Sequence, residues 1–404
     1  MREQTILSRE SISRNGTYLD WDTQPSLFKH YPEFCYRLSL SKFPQLGWLR
    51  SLRCITDFKY VASKPYYRLN VPSAGNLHPI ELYVQIRNLN DVLSGIYHVD
   101  ILREELVLIE EIGSQGLEPY VGLEHRLSGF ILLFSIVPFR SSWKYGLRAW
   151  RYCYLDLGHQ LGVLYALMND CDLHPTKLSD IDAKGLNTVM GLGEEESVAA
   201  AFAFGEETIK SVKPMNDPLM RVASTDYTRR NSKLVENILS QNVYTDRYPL
   251  DSELWNETMN RSRRSARKFH PYPLPDDRVK PFFRLSCEES LDIVFVVLQA
   301  QSMQCGVYRN QECIQEGQFV SEMVALLLDQ RFIQNASMVA LIFSEHFDSK
   351  SHIEAGIYAQ QLYLLSESFG IGCSGIGAFY DDEAARWNTN HLVHAVAIGG
   401  KKDE

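Results

Sequence analysis

The chain has 404 residues, 45% hydrophobic and 23% charged, an ordinary globular balance with length enough for two domains. Its formal net charge of -9 argues against sustained attraction to nucleic acid or an anionic membrane, so small molecules or peptides are the expected partners. The amino terminus lacks a secretory pattern, no apolar run approaches the ~20 residues that cross a bilayer, and the eight cysteines form no Cys-x-x-Cys pair or zinc spacing; a reduced, cytoplasmic protein with buried thiols and no metal is expected.

In chain order, residues 80–86, 95–99 and 130–137 are β-branched and aromatic runs, and all three read as strands. Apolar residues at 147, 150, 154, 157, 161, 164 and 168 then follow the three-and-four spacing of a helix with a wide apolar face. On it, Asp156 and His159 are close enough in sequence to hydrogen-bond each other, as a structural pair. Residues 198–205 close this half with a strand too apolar for a surface edge. A polar stretch with Pro214, Pro218, Asp226 and the run Arg229-Arg230-Asn231 reads as a linker, with short helices at 232–239 and 252–264.

The second half repeats the order of the first. Gly306-Val307-Tyr308-Arg309 echoes Gly95-Ile96-Tyr97-His98, and residues 337–347 echo 129–139. Glu354-Ala355-Gly356, on a helix over 352–369, echoes Asp156-Leu157-Gly158, while Ala395 to Gly399 echo Ala201 to Gly205. The expected organisation is a first domain at 1–205, a linker at 206–250 and a second domain at 251–404.

Four segments carry chemistry. Arg68 to Pro79 contains Pro72-Ser73-Ala74-Gly75-Asn76, whose small residues admit a flat ligand and whose Ser73 and Asn76 can bond its heteroatoms; a plain turn into a strand is the blander account. Lys144-Tyr145, entering the long helix, offers a proton donor and acceptor tunable by burial, or merely an amphipathic first turn. Arg263-Arg264-Ser265-Ala266-Arg267 can bracket a phosphate or be a solvated basic run. Gly370 to Phe379 holds four glycines in eight residues and reads as a loop exposing backbone N–H groups. His391 and His394 share a spacing but lack a third ligand, so a metal site is rejected.

Several of these motifs resemble the SagB-type, azoline-dehydrogenase branch of the nitroreductase family: Leu19 to Pro25, Pro72 to Pro79, Gly95 to His98, Trp143-Lys144-Tyr145-Gly146, Arg151-Tyr152 and Leu155 to His159. Arg263 to Arg267 with Phe269, and Gly375-Ile376-Gly377-Ala378-Phe379, resemble the broader nitroreductase pattern. The resemblance implies an α+β fold of two tandem nitroreductase-like sandwich domains forming an intrachain pseudo-dimer, hence a monomer or a further homo-oligomer. It also implies noncovalent FMN, with NADH or NADPH as a possible electron donor.

Each half keeps what the other has lost, so one composite FMN site per chain is expected. Arg263, Arg264, Ser265 and Arg267 would hold the phosphate, and N–H groups of Gly375, Ile376 and Gly377 would face flavin N5. Arg68, Pro72, Ser73, Ala74, Gly75 and Asn76 would contact the flavin from the other domain. Lys144 and Tyr145 would assist proton removal from an azoline ring in a peptide or small molecule. A nitro or quinone reductase, or a non-catalytic flavin-sequestering protein, are the alternatives.

Overall fold

The computed structural model describes residues 1–14, 19–61, 64–192, 194–218, 220–225, 232–248, 250 and 254–402. The first half builds an antiparallel sheet from β1 (Arg37–Ser39), β4 (Ile80–Arg87), β5 (Gly95–Asp100), β6 (Glu105–Glu111), β7 (His125–Ile136), β8 (Pro175–Thr176) and β9 (Ser197–Ser211). A separate hairpin pairs β2 (Ile55–Val61) with β3 (Lys64–Leu69). The second half adds β10 (Leu291–Val297), β11 (Gly306–Arg309), β12 (Glu312–Glu316), β13 (Met338–Ser344), β14 (Gly372–Ile376) and β15 (His391–Gly399).

Strand order is β1-β6-β5-β4-β7-β9-β8 in one sheet and β12-β11-β10-β13-β15-β14 in the other. Apart from the added β1, the two orders correspond strand for strand, as the sequence echoes imply. Every residue of β4 is buried because both faces of the sheet are covered. Leu82, Val84 and Ile86 pack toward the long helices, while Tyr83 joins Ile131 and Leu133 in a core on the opposite side.

Between the sheets lie two long helices, Ala149–Asp170 and Ser349–Ser368, and the core around them draws on both halves. From Ala149 to Leu167, and from Ser351 to Ser366, every residue is buried, so neither helix has the solvent face of an amphipathic helix. They cross at the matched glycines. A Cβ on Gly158 would stand 2.1 Å from the Ile353 carbonyl oxygen, and one on Gly356 2.4 Å from that of Leu155. Only hydrogen at both positions lets the backbones approach this closely.

Four sequence expectations change. Gly372–Ile376, read as part of a loop, is an edge strand paired with β15. Among the described residues, the helix expected over 252–264 spans Glu257–Ser262, where the Asn256 side chain caps the Met259 N–H at 3.1 Å. β9 continues to Ser211, and residues of the linker dock on it: Tyr244 N–H donates to Ala199 O at 2.8 Å, and Ala201 N–H to Tyr244 O at 3.0 Å. Not all thiols are buried, since Cys287 and Cys313 are exposed. Asp226, the Arg229-Arg230-Asn231 run and Ser252 lie outside the described residues. Among the described residues no helix is long and apolar enough to cross a membrane.

Candidate functional site

The first wall of a groove between the halves is the loop after β3. Gly75, Asn76 and His78 adopt positive φ values of 65°, 60° and 47°, which fold the loop back on itself. Its fastenings are polar. Asn76 Nδ2 donates to Tyr67 O at 2.8 Å, and Ser73 Oγ accepts from His78 N–H at 2.9 Å while donating to Asp156 Oδ2 at 2.6 Å. The other Asp156 oxygen accepts the Ala74 N–H at 3.1 Å. Asp156 therefore anchors the loop rather than pairing with His159, whose Nδ1 lies 3.1 Å from Gln360 Oε1.

Burial raises the Asp156 carboxyl from its usual 3.8 to about 7, against the lowering effect of the Ser73 and Ala74 hydrogen bonds. A carboxyl with a higher pKa in the folded state binds protons more tightly when folded, so it lowers stability as pH rises from about 4 to about 7. Asp156→Asn removes this dependence and keeps the shape. Its melting temperature should gain on the parent's between pH 4.5 and pH 8, and parallel pH profiles would refute the assignment.

The second wall comes from Ser265, Arg267, β14 and the second long helix. Tyr363, on that helix, accepts the Gly375 N–H at 2.7 Å and shares a 2.8 Å hydrogen bond with Ser265 Oγ. One buried phenol thus fixes both the glycine strand and the basic segment. It also occupies the Gly375 N–H, one of the donors expected to face a ligand. The glycines bordering the groove are required by tyrosines: a Cβ on Gly75 would lie 2.5 Å from Tyr145 Oη, and one on Gly377 2.6 Å from the Tyr152 ring.

Between these walls is a cavity of about 160 Å³. Pro72, Ser73, Ala74, Gly75 and Tyr145 line it from one half, and Ser265, Arg267, Gly375, Ile376 and Gly377 from the other. A smaller recess of about 80 Å³ shares Pro72, Ser73, Ser265 and Arg267 with it and adds Arg68, Asn76, Arg263 and Arg264. Ten of the candidate residues thus meet at the cavity and four more at the recess.

Lys144 lines neither. Its Nζ lies 5.6 Å from the Trp21 ring centre and 5.4 Å from that of Tyr145, and partial burial together with Arg267 lowers its pKa. Burial raises the pKa of Tyr145 instead. Asp156, His159, Gln330, Tyr363 and His394 also line the cavity, although sequence reasoning gave them no ligand role.

The arginines divide by task. Arg263, 4% exposed, donates from Nε to Asn70 O at 2.5 Å and from Nη2 to Leu69 O at 2.8 Å, leaving Nη1 3.4 Å from Ser265 Oγ. Arg264 donates to the carbonyls of Arg261, Arg263 and Thr56 at 3.1, 2.8 and 3.0 Å. Both brace the hairpin of the first half to the second. Arg267 is exposed and makes no hydrogen bond or ion pair among the described residues, so its charge is available to a ligand.

The symmetry-related place in the molecule is built differently. Tyr165 follows Gly158 by the interval at which Tyr363 follows Gly356, yet its hydroxyl donates to Asp246 O at 2.6 Å. Tyr248 stacks on it with ring centres 6.4 Å apart, and both Tyr244 and Tyr248 are buried. Ser290 donates to Glu354 at 2.5 Å, matching Ser73 and Asp156. Beyond β8, the short counterpart of β14, Tyr244 bridges Ala200 of β9, so segment 243–248 takes up space that a second such groove would need.

No family model matches the chain. A Methanocaldococcus jannaschii protein provisionally named a nitroreductase is 29% identical over 106 residues, covering 26% of this chain and 54% of the relative. The solved structure of an Anabaena variabilis protein, also provisionally named a nitroreductase, superposes with a TM-score of 0.81 at 20% identity, covering 99% of this chain and 98% of that one. A chain of the E. coli microcin synthetase McbBCD complex reaches a TM-score of only 0.33, at 15% identity over 51% of this chain and 86% of that one, too low to bear on either fold or function. The fold is α+β and nitroreductase-like, with two tandem sandwich domains facing each other as an intrachain pseudo-dimer.

Proposed function

We propose that this chain is an FMN-dependent oxidoreductase of the nitroreductase type, arisen by tandem duplication and holding one flavin per chain in the groove between its halves. The observation that carries this reading is the joining of a glycine-bordered cavity to an arginine-lined recess, with both halves contributing to each. A flat ring suits a cavity walled by the Gly75 and Gly377 backbone and by the rings of Tyr145 and Tyr152, and a dianionic phosphate suits a recess lined by four guanidinium groups. The Methanocaldococcus and Anabaena relatives, through their names, support the same class.

When bound, FMN would supply two-electron redox chemistry, taking or giving hydride at N5. Arg267 and Ser265 hold the phosphate end in this reading, while Arg263 and Arg264 keep the recess in shape. Ser73, Ala74 and Gly75 border the ring from the first half, and Ile376 and Gly377 from the second. Tyr145, in the cavity wall, is placed to hold or move a proton at its hydroxyl, with Lys144 beside it tuning the local charge. That placement favours a dehydrogenation coupled to proton removal, with an azoline ring in a peptide or small molecule as substrate. An NADH- or NADPH-dependent nitro or quinone reductase is the neighbouring reading.

Purified protein mixed with FMN should retain one flavin per chain after desalting. The bound flavin should bleach anaerobically with NADH or NADPH, or with a thiazoline or oxazoline, and recover its colour with an acceptor. Loss of all flavin on desalting would overturn the FMN assignment. Tight binding without bleaching by any donor would instead identify a flavin-sequestering protein.

A further inference from the structure

We infer that His394 hydrogen-bonds the polar edge of the ring system bound in the cavity, an inference that rests on the flavin reading above. The residue sits on β15 and lines the cavity, yet it is only 4% exposed and neither Nδ1 nor Nε2 has a hydrogen-bond partner. Buried polar groups are nearly always paired, so a ring that lines a cavity with no completed hydrogen bond and the Ile376 carbonyl as its neighbour marks a place where an occupant supplies a partner. Gly375 keeps that approach open. A Cβ there would stand 3.1 Å from His394 Nε2, covering the nitrogen that a ligand would reach.

The surroundings define the chemistry of the occupant. Burial lowers the His394 pKa to about 4, with the nearby Ile376 carbonyl opposing only part of the effect, so the ring is neutral at physiological pH. Beside it on the cavity wall, His159 lies edge-on with ring centres 5.8 Å apart and is likewise held neutral by burial. A neutral imidazole offers one donor and one acceptor. It matches an uncharged edge that carries both N–H and C=O groups, as in an imide or ureide, and gives no charge pairing to a carboxylate or an ammonium group. The pyrimidine edge of an isoalloxazine has this character, whereas the phosphate end belongs to the arginine-lined recess.

The test compares FMN with riboflavin, which carries the same ring without the phosphate, using flavin fluorescence titration and the visible spectrum of the bound flavin. His394→Leu should weaken both ligands by the same factor, about tenfold for one neutral hydrogen bond left unmade, and should shift the bound spectrum. His394→Gln, which retains a donor and an acceptor, should recover most of the affinity. The ligand-free Leu variant should melt no lower than the parent, because it removes two unpaired polar atoms from an apolar setting. Unchanged affinity for both ligands in the Leu variant would overturn the role of His394 while leaving the flavin site standing. Should the Leu variant fail to fold, His394→Phe, which keeps a ring and lacks both nitrogens, takes its place: unchanged affinity for both ligands overturns the inference. Failure of the parent to bind either ligand overturns both readings.

Discussion

Gly158→Val should prevent the two halves from docking and abolish ligand retention in the same step. The new side chain would begin 2.1 Å from the Ile353 carbonyl, a backbone atom that cannot move without displacing the second long helix. Overpacking a core ordinarily costs about 1–3 kcal/mol because side chains can shift; here the obstacle is main chain, and about 3 kcal/mol or more is expected even for Gly158→Ala. Gly356→Ala should behave alike, since its Cβ would meet the Leu155 carbonyl at 2.4 Å. Gly47→Ala is the control, having nothing within 4 Å of its added Cβ, and it should leave the melting temperature nearly unchanged. Thermal melts and flavin retention measured on the same samples check all four. A Gly158 variant with parental stability would show that the crossing is looser than described.

Arg263→Ala and Arg267→Ala should separate stability from affinity. Removing the Arg263 guanidinium leaves the carbonyls of Leu69 and Asn70 unpaired in a buried place, which should cost about 3 kcal/mol of stability. Any loss of FMN binding would then accompany a lower melting temperature. Removing Arg267 leaves no buried partner behind, so the melting temperature should hold. FMN affinity should nevertheless fall about 10- to 100-fold, the worth of a charge-assisted contact to phosphate, while riboflavin affinity should not change. Equal loss for FMN and riboflavin would place Arg267 at the ring rather than at the phosphate.

The sequence displays elements whose determinants are local and conceals those that depend on distant partners. The first long helix and strands β4, β5, β7 and β9 announce themselves through spacing and β-branched composition, and the repeated order of such segments foretells two matching sheets. Gly372–Ile376 misleads because glycine density is a loop signal, whereas here the glycines make room for Ala266, Phe269, His394 and Tyr152 around a strand. The basic cluster is legible as a cluster but not in its division of labour: Arg263 is taken by the carbonyls of residues 69 and 70, almost two hundred positions earlier in the chain. Asp156 similarly finds Ser73 and Ala74 in place of the helical neighbour His159. Tyr363 and His394 carry no local pattern that marks them. A possible signal was the correspondence between Tyr363 and Tyr165, which the matched glycines of the two helices would have exposed.

The two walls of the groove also have different birthdays. Residues 72–75 leave the ribosome some three hundred residues before Gly375 to Gly377, a delay of roughly 15 to 60 seconds at ordinary rates of synthesis. Within that interval, from the making of Asp170 to that of Gly356, the first long helix, buried along nearly its whole length in the folded protein, lacks the partner that covers it. A ligand that needs both walls can therefore be held only once Gly377 has been made, and until then the chain presents an apolar surface that chaperones would recognise.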